Sequence, residues 1–79
     1  MPAPPRVLLG DLEPILSLGL VRVLTEEGAD VIGQQHEPAE ILDTAGRQRP
    51  DLIVLDFDSG DSRELGLRVR NVSPETKVI

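Results

Sequence analysis

Two aspartates, Asp11 and Asp56, are placed where their carboxylates could do chemistry. Asp11 follows the short apolar run of residues 6–10, and Asp56 follows the apolar run of residues 52–55. Ligands of open parallel sheets bind beyond the carboxyl ends of the strands, so the two carboxylates converge if these strands are neighbours. Like charges in close contact repel unless they share a proton or a cation, and Mg²⁺ prefers oxygen ligands. The pattern predicts a magnesium site in which an aspartate could accept a phosphoryl group.

The elements that position these aspartates alternate between strand and helix. We predict strands over residues 6–10, 29–33 and 52–55 and from residue 77, and helices over 15–27, from 38 to 48 and over 63–72. The consecutive apolar residues 52–55 are typical of a central strand in a parallel sheet. The alternation predicts an α/β domain with a mostly parallel sheet.

Prolines, glycines and apolar residues predict where the helices begin and end and how deeply they are buried. Pro14 and Pro38 are typical of a first helical turn, and Gly28 is typical of a helix end. Seven apolar residues lie between positions 15 and 24, which is denser than one stripe, so we expect the first helix to be covered on much of its circumference. The second helix has a narrower apolar stripe and is expected to be more exposed than the first. Residues 59–62 are expected to form a loop.

Composition limits the class of protein. The chain has 79 residues and a formal net charge of −6, from 8 basic and 14 acidic side chains. It has no cysteine, a single histidine at His36 and a single aromatic residue at Phe57, which excludes disulfides, thiolate zinc sites and aromatic stacking platforms. The acidic balance argues against direct nucleic-acid binding, and no apolar run is long enough to span a membrane. We expect a soluble, cytoplasmic domain.

Two motifs carry a resemblance. Residues 6–20 combine a strand, an acidic turn, Glu13-Pro14 and Gly19-Leu20, and residues 39–56 combine spaced small and aliphatic residues, the segment 49–51 and the strand that ends at Asp56. In this order and at this spacing, the chain resembles the N-terminal part of a bacterial response-regulator receiver domain of the NarL/LuxR type.

The resemblance implies a flavodoxin-like fold, with three α/β/α layers and strand order 2-1-3-4-5, and a non-enzymatic signalling role. It implies that Asp56 is the phosphoacceptor and that Asp11, Asp56 and the backbone carbonyl of Asp58 hold Mg²⁺. The implied partners are a histidine kinase, a second receiver and a downstream effector or DNA-binding domain, as in a transcriptional regulator.

The chain departs from the family at the metal site. Such receivers carry two adjacent acids after the first strand, but here Leu12 follows Asp11. Glu13 lies one residue further along and could substitute only with a changed turn. Because one carboxylate is lost, we expect the site to bind Mg²⁺ only weakly.

The extent of the domain leads to an expectation about association. The sequence ends at Ile79, before the Ser/Thr and Lys that complete the family's phosphorylation site. We therefore expect residues 6–79 to be a partial receiver domain, truncated after the start of the fourth strand, with residues 1–5 as a flexible lead. Three helices leave one face of a parallel sheet poorly covered, so we expect self-association as a dimer or swapped oligomer.

Two other functions remain open at this stage. The first is a pseudo-receiver, a dimerisation or protein-interaction module that needs no phosphate, and Leu12 is the residue that favours it. The second is a phosphatase fragment of the haloacid-dehalogenase type, because residues 56–60 resemble that family's nucleophile motif. Against it, the serine and glycine stand in reverse order, and the motif normally follows the first strand.

Structural roles compete with functional ones at several positions. Asp11 and Glu13 could serve only the electrostatics of a helix start. The acids Asp58, Asp61 and Glu64 are typical of a solvated surface, and His36 of an exposed loop. Arg68 and Arg70 are expected to offset nearby acids on an exposed helix.

Overall fold

The computed structural model describes residues 3–10, 12–55 and 60–79, and the side chains of all of these except residues 60–62. Strands and helices alternate along the chain. In order, they are β1 (Arg6–Gly10), α1 (Pro14–Glu26), β2 (Asp30–Gln35), α2 (Pro38–Gln48), β3 (Leu52–Leu55), α3 (Gly60–Val72) and β4 (Lys77–Val78).

The described strands form one parallel sheet in the order β2-β1-β3-β4. β1 pairs with β3 from Val7 opposite Leu52 to Gly10 opposite Leu55, without a register shift. On its other side, β1 pairs with β2 through a register shift between Val7 and Leu8. This arrangement confirms the predicted α/β class and the flavodoxin-like order of these strands.

Two apolar clusters lie on opposite faces of the sheet, as expected from the alternation of side chains along a strand. On one face, α2 and α3 pack against the sheet through Leu8, Ile41, Ala45, Ile53, Leu55, Leu65 and Val69. On the other face, α1 packs against Val7, Leu9 and Leu12 with its own Leu20, Val21 and Leu24. The three layers of the expected fold are therefore present.

The expectation that α1 is covered on much of its circumference is wrong. Ile15 is 80% exposed and Leu18 73% exposed, and more than half of the surface of Leu16 and Val23 is also exposed. The physical reason is that α1 is the only described helix on its face of the sheet. Apolar density in the sequence indicates what a helix could bury, but burial requires a neighbour on each side.

The expectation that α2 is the more exposed helix is also wrong. α2 buries Ile41, Thr44 and Ala45, whereas Ser17 is the only fully buried residue of α1. α3 packs beside α2 on the same face of the sheet, so a narrow apolar stripe is enough to bury α2.

Two element boundaries differ from the prediction. α3 begins at Gly60 rather than at Arg63, because the turn-favouring residues before Arg63 include no proline that would exclude them from the helix. β2 extends through Gln35 because Gln34 and Gln35 pair with the last two residues of β1. The strand therefore continues through two polar residues, because their backbones pair with β1.

The predicted helix signals are confirmed. Both Pro14 and Pro38 lie in the first turn of their helices. Gly28 ends α1 with a positive φ of 89°, where its amide donates to the carbonyl of Thr25 and the next amide donates to that of Leu24. Only glycine adopts this left-handed conformation without steric cost.

The amino end of the sheet is fixed by Arg6. Its backbone amide donates to Asp51 Oδ2 over 2.7 Å, and its guanidinium donates to the backbone carbonyl of Gln48 over 2.6 Å. The second contact satisfies a carbonyl in the last turn of α2, which has no partner within the helix. Arg6 therefore ties the start of β1 to the end of α2 and the start of β3.

Candidate functional site

The candidate site is the carboxyl edge of the sheet, where β1 and β3 end side by side. Gly10 lies opposite Leu55 as the last pair of the two strands. Asp11 and Asp56 are the next residues in the sequence, and both lie outside the described residues, as does Asp58. The structure therefore shows that the strand ends preceding the two aspartates are neighbours.

Gly10 allows a close approach at this edge. A Cβ atom at this position would lie 2.6 Å from Leu55 Cδ2 and 3.0 Å from Ile41 Cδ1. Both distances are shorter than ordinary van der Waals contacts, and Leu55 and Ile41 are buried. The carboxyl end of β1 is consequently packed tightly against β3 and α2.

Leu12 is a core residue. It is 5% exposed and belongs to the cluster formed by Val7 and Leu9 beneath α1. At the position where the resembling receivers carry an acid, this chain has an apolar side chain that offers no oxygen to a cation. An aspartate in this environment would have to bury a charge, which is costly without a partner.

Glu13 is exposed and precedes the first turn of α1. Its backbone carbonyl accepts a hydrogen bond from the Ser17 amide over 2.8 Å, and its side chain makes no capping hydrogen bond. A negative charge at this end of a helix interacts favourably with the helix dipole, in agreement with the electrostatic role considered for Glu13. Whether Glu13 is a ligand stays a prediction.

Two neutral side chains near the same edge were missed by sequence reasoning. Ser17 is buried, and its Oγ donates to Gln34 Oε1 over 2.6 Å, which joins α1 to β2. Gln35 Oε1 is buried and has no hydrogen-bond partner among the described residues. The available signal was the pair of glutamines after the apolar part of β2, which indicates a polar environment at the end of that strand.

The remaining candidates lie apart from this edge or on its exterior. Among the described residues, no group of three potential ligands could hold a metal ion. His36 is exposed after β2, as expected. Arg68 pairs with Glu64 over 3.1 Å, with both side chains more than half exposed, as expected of a solvated helix. Arg70, in contrast, forms no ion pair with a described residue.

Comparison with known proteins relates the chain to bacterial regulators. It is 32% identical over 53 residues to the transcriptional regulatory protein PdtaR of Mycobacterium tuberculosis. The aligned residues make up 67% of this chain and 26% of that protein. It is 30% identical over 77 residues to a protein of the same organism named "Probable transcriptional regulatory protein NarL". This alignment takes in 94% of this chain and 36% of that protein. No protein-family model matches.

Each of these matches covers only part of the relative. The chain spans between a quarter and two fifths of the length of the relatives it matches. The names of these relatives describe regulators and not enzymes. Within the described parts of the chain, no helix has the length and apolar character needed to cross a bilayer.

Proposed function

Since the chain is related to transcriptional regulatory proteins and has the fold and motif order of a response-regulator receiver domain, we propose that it is the receiver module of a transcriptional regulator. In this proposal Asp56 accepts a phosphoryl group and thereby controls an effector or DNA-binding domain. The supporting observation is the pairing of Gly10 with Leu55, since these residues immediately precede Asp11 and Asp56.

The proposed chemistry is transfer from a phosphohistidine of a cytoplasmic histidine kinase. A carboxylate oxygen of Asp56 attacks phosphorus, the phosphorus–nitrogen bond breaks, and the imidazole leaves with the electron pair of that bond. In this proposal Asp11, Asp56 and the carbonyl of Asp58 hold Mg²⁺, which offsets negative charge on the phosphoryl group. Because Leu12 is buried and provides no carboxylate, we propose that this Mg²⁺ is bound weakly.

Magnesium binding tests this proposal directly. Mg²⁺ is titrated into the chain, into Asp56→Asn and into Asp30→Asn, with binding followed by calorimetry and by amide NMR shifts. Asp30 is a matched control, since it is an exposed acid at the amino end of β2. We expect saturable binding by the chain and by Asp30→Asn, and its loss in Asp56→Asn. A folded chain that binds no Mg²⁺ would contradict the phosphoacceptor proposal.

A second candidate function, the phosphate-independent pseudo-receiver, is favoured by two observations. Leu12 is part of the core in place of an acidic ligand. In addition, α1 exposes an apolar surface formed by Ile15, Leu16, Leu18 and Val23. Contiguous exposed apolar surface is typical of protein–protein contact sites. In this alternative the chain acts by association alone.

The geometry of α1 suits contact with another helix. Ile15, Gly19 and Val23 follow one another at four-residue spacing and share one face. Nothing lies within 4 Å of a Cβ atom built on Gly19, so no packing within the described structure requires glycine there. The charges of Arg22 and Glu26 offset each other over 3.3 Å. Under this alternative, two copies of the chain associate through this nearly neutral surface.

Sedimentation over a range of protein concentrations tests the alternative. We expect the chain to associate and Ile15→Lys to remain monomeric. Leu67→Lys is the control, because Leu67 is comparably exposed on α3, on the opposite face of the sheet. Association that persists in Asp56→Asn supports a phosphate-independent role. A monomeric chain at high concentration would exclude self-association.

The hypothesis of a haloacid-dehalogenase-type phosphatase has less support. The residues of its motif follow β3, the third strand, rather than the first, and residues 56–59 lie outside the described residues. We therefore propose a non-enzymatic role, and hydrolysis of p-nitrophenyl phosphate that is lost in Asp56→Asn would contradict it.

A further inference from the structure

Gln35, the last residue of β2, places a carboxamide at the carboxyl edge of the sheet. It pairs with Gly10, the last residue of β1, and Gly10 pairs in turn with Leu55 at the end of β3. Gln35 therefore stands in one row with the two residues that immediately precede Asp11 and Asp56. The function proposed above gives Gln35 no role.

A bulge in β2 decides which of its two glutamines occupies this place. Ile32 is an extra residue of β2, because the residues on either side of it pair with consecutive residues of β1. Without this extra residue, Gln34 would stand opposite Gly10. The bulge brings Gln35 to that position instead.

The two glutamines lie on opposite faces of the sheet, as successive residues of a strand do. Gln34 is on the face of α1, where its Oε1 accepts the hydrogen bond from Ser17. Gln35 is on the face of α2, because it lies two residues after Gly33, whose Cβ would contact Leu8 Cδ1 in the cluster beneath α2 and α3. The bond to Ser17 therefore explains Gln34 but not Gln35.

The side-chain oxygen of Gln35 fits an oxygen-binding cation. It is buried and has no hydrogen-bond partner among the described residues, although the residue as a whole is partly exposed. A buried acceptor without a partner destabilises a fold, and most such atoms in native proteins are bound to a donor, a water or an ion. Carboxamide oxygens are neutral ligands that suit hard divalent cations.

Leu12 gives a reason for a further oxygen ligand at this edge. Its buried side chain offers no oxygen at the position where the resembling receivers carry an acid. The exposed carboxylates of Glu13 and Glu37, at the starts of α1 and α2, keep the edge acidic and therefore favourable to a cation. Gln35 adds an oxygen to this edge without a further negative charge.

Resting on the function proposed above, we propose that Gln35 Oε1 is a ligand of the divalent cation held by Asp11 and Asp56. In this proposal Gln35 supplies the oxygen that Leu12 lacks, and it does so from β2 rather than from the loop after β1. The cation site then draws on the ends of three neighbouring strands.

Paramagnetic broadening by Mn²⁺ tests the position of Gln35. Mn²⁺ takes the same kinds of oxygen ligand as Mg²⁺, and it is titrated into the isotope-labelled chain. We expect the side-chain amide resonance of Gln35 to broaden at the lowest Mn²⁺ concentrations and to recover in excess Mg²⁺. Gln48 is the control, since its carboxamide contacts Arg6 at the amino edge of the sheet. Equal broadening of both resonances would overturn the proposal.

Variants of Gln35 test its role as a ligand. Gln35→Met keeps the length of the side chain without an oxygen, and Gln35→Glu adds a charged oxygen. We expect Mg²⁺ affinity to fall about tenfold in Gln35→Met and to rise about tenfold in Gln35→Glu. Gln34→Glu is the matched control, because it adds the same charge one residue earlier on the opposite face. Equal gains in the two glutamate variants would reduce the effect to general charge and overturn the proposal.

Stability without metal separates a ligand from a structural acceptor. If Oε1 is unpaired in the metal-free chain, Gln35→Met should unfold at the same urea concentration as the unchanged chain or at a higher one. A less stable Gln35→Met would show that the fold itself uses this oxygen, and it would overturn the proposal.

The Mg²⁺ titrations also separate this proposal from the one on which it rests. Binding that is lost in Asp56→Asn but unchanged in Gln35→Met would overturn the role of Gln35 and leave the phosphoacceptor proposal standing. Absence of Mg²⁺ binding by the folded chain would overturn both.

Discussion

Gly10 and Leu55 end two neighbouring parallel strands as a directly opposed pair, so closely packed that a Cβ on Gly10 would lie 2.6 Å from Leu55 Cδ2. The contact leaves no room for a side chain on Gly10 at the edge where the predicted phosphoacceptor site begins. Ile41 of α2 closes the same contact from above the sheet. The strand ends are therefore held by apolar packing that does not depend on the acidic residues that follow.

We predict that Gly10→Ala lowers the free energy of unfolding by about 1–3 kcal/mol, since the added methyl group overpacks the core. Urea denaturation measures the change. Gly19→Ala is the control, because its Cβ would meet nothing within 4 Å, and it should stabilise the chain by up to about 1 kcal/mol through helix propensity. Equal stability of Gly10→Ala and the unchanged chain would show that Leu55 and Ile41 can move apart.

Replacement of Leu12 should separate its packing role from the family's metal chemistry. We predict that Leu12→Ala costs about 2–5 kcal/mol, as for other buried leucines, and that Leu12→Asp costs more because it also buries a charge. Denaturant titrations of both variants provide the comparison. A stable Leu12→Asp variant that binds Mg²⁺ more tightly would mean that this position can return to a ligand role without loss of the core.

The hydrogen bond between Ser17 and Gln34 should contribute modestly to stability. We predict that Ser17→Ala lowers the free energy of unfolding by about 0.5–1.5 kcal/mol, because Gln34 is exposed and can turn to water. A double-mutant cycle with Gln34→Ala isolates the coupling between the two side chains. A coupling energy of zero would indicate that the contact of 2.6 Å adds nothing to folding.

The turn between α3 and β4 should lose more stability on substitution than its polar sequence suggests. Ser73 Oγ lies 2.6 Å from Thr76 Oγ1, which donates to the carbonyl of Pro50 over 2.7 Å, and both hydroxyl residues are buried. We predict that Thr76→Val costs about 1–3 kcal/mol, because it leaves buried polar atoms without partners. The melting temperature of Thr76→Val is compared with that of Thr25→Val, a control at an exposed position of α1. Equal melting temperatures would contradict the network.

Local signals in the sequence predicted most of the fold. The residues of β1 and β3 form apolar runs that end in a glycine or an acid, and Pro14, Pro38 and Gly28 mark helix ends because their backbone restrictions act locally. The start of α3 and the end of β2 were predicted less well. The end of β2 depends on its pairing with β1, which local residue preferences do not record. α3 begins among turn-favouring residues that a helix accepts because none of them is proline.

The candidate site was predictable only as a location. The alternation of elements placed the residues after β1 and β3 at one edge, and the structure confirms that these strands are neighbours. The sequence also shows that Leu12 replaces an acid, but its burial with Val7 and Leu9 follows from how the loop after β1 packs beneath α1. The hydrogen bond from Ser17 to Gln34 has no local signature, since it joins residues of different elements.

By itself the sequence determined the order and type of the elements and the residues that end them, because those properties arise from backbone restrictions and side-chain periodicity within each segment. Only the tertiary structure decided which helix is buried. α2 has α3 beside it and buries a narrow stripe, whereas the more apolar α1 is the only described helix on its face and leaves Ile15 and Leu18 exposed. Burial is a property of two surfaces, and a sequence segment specifies only one of them.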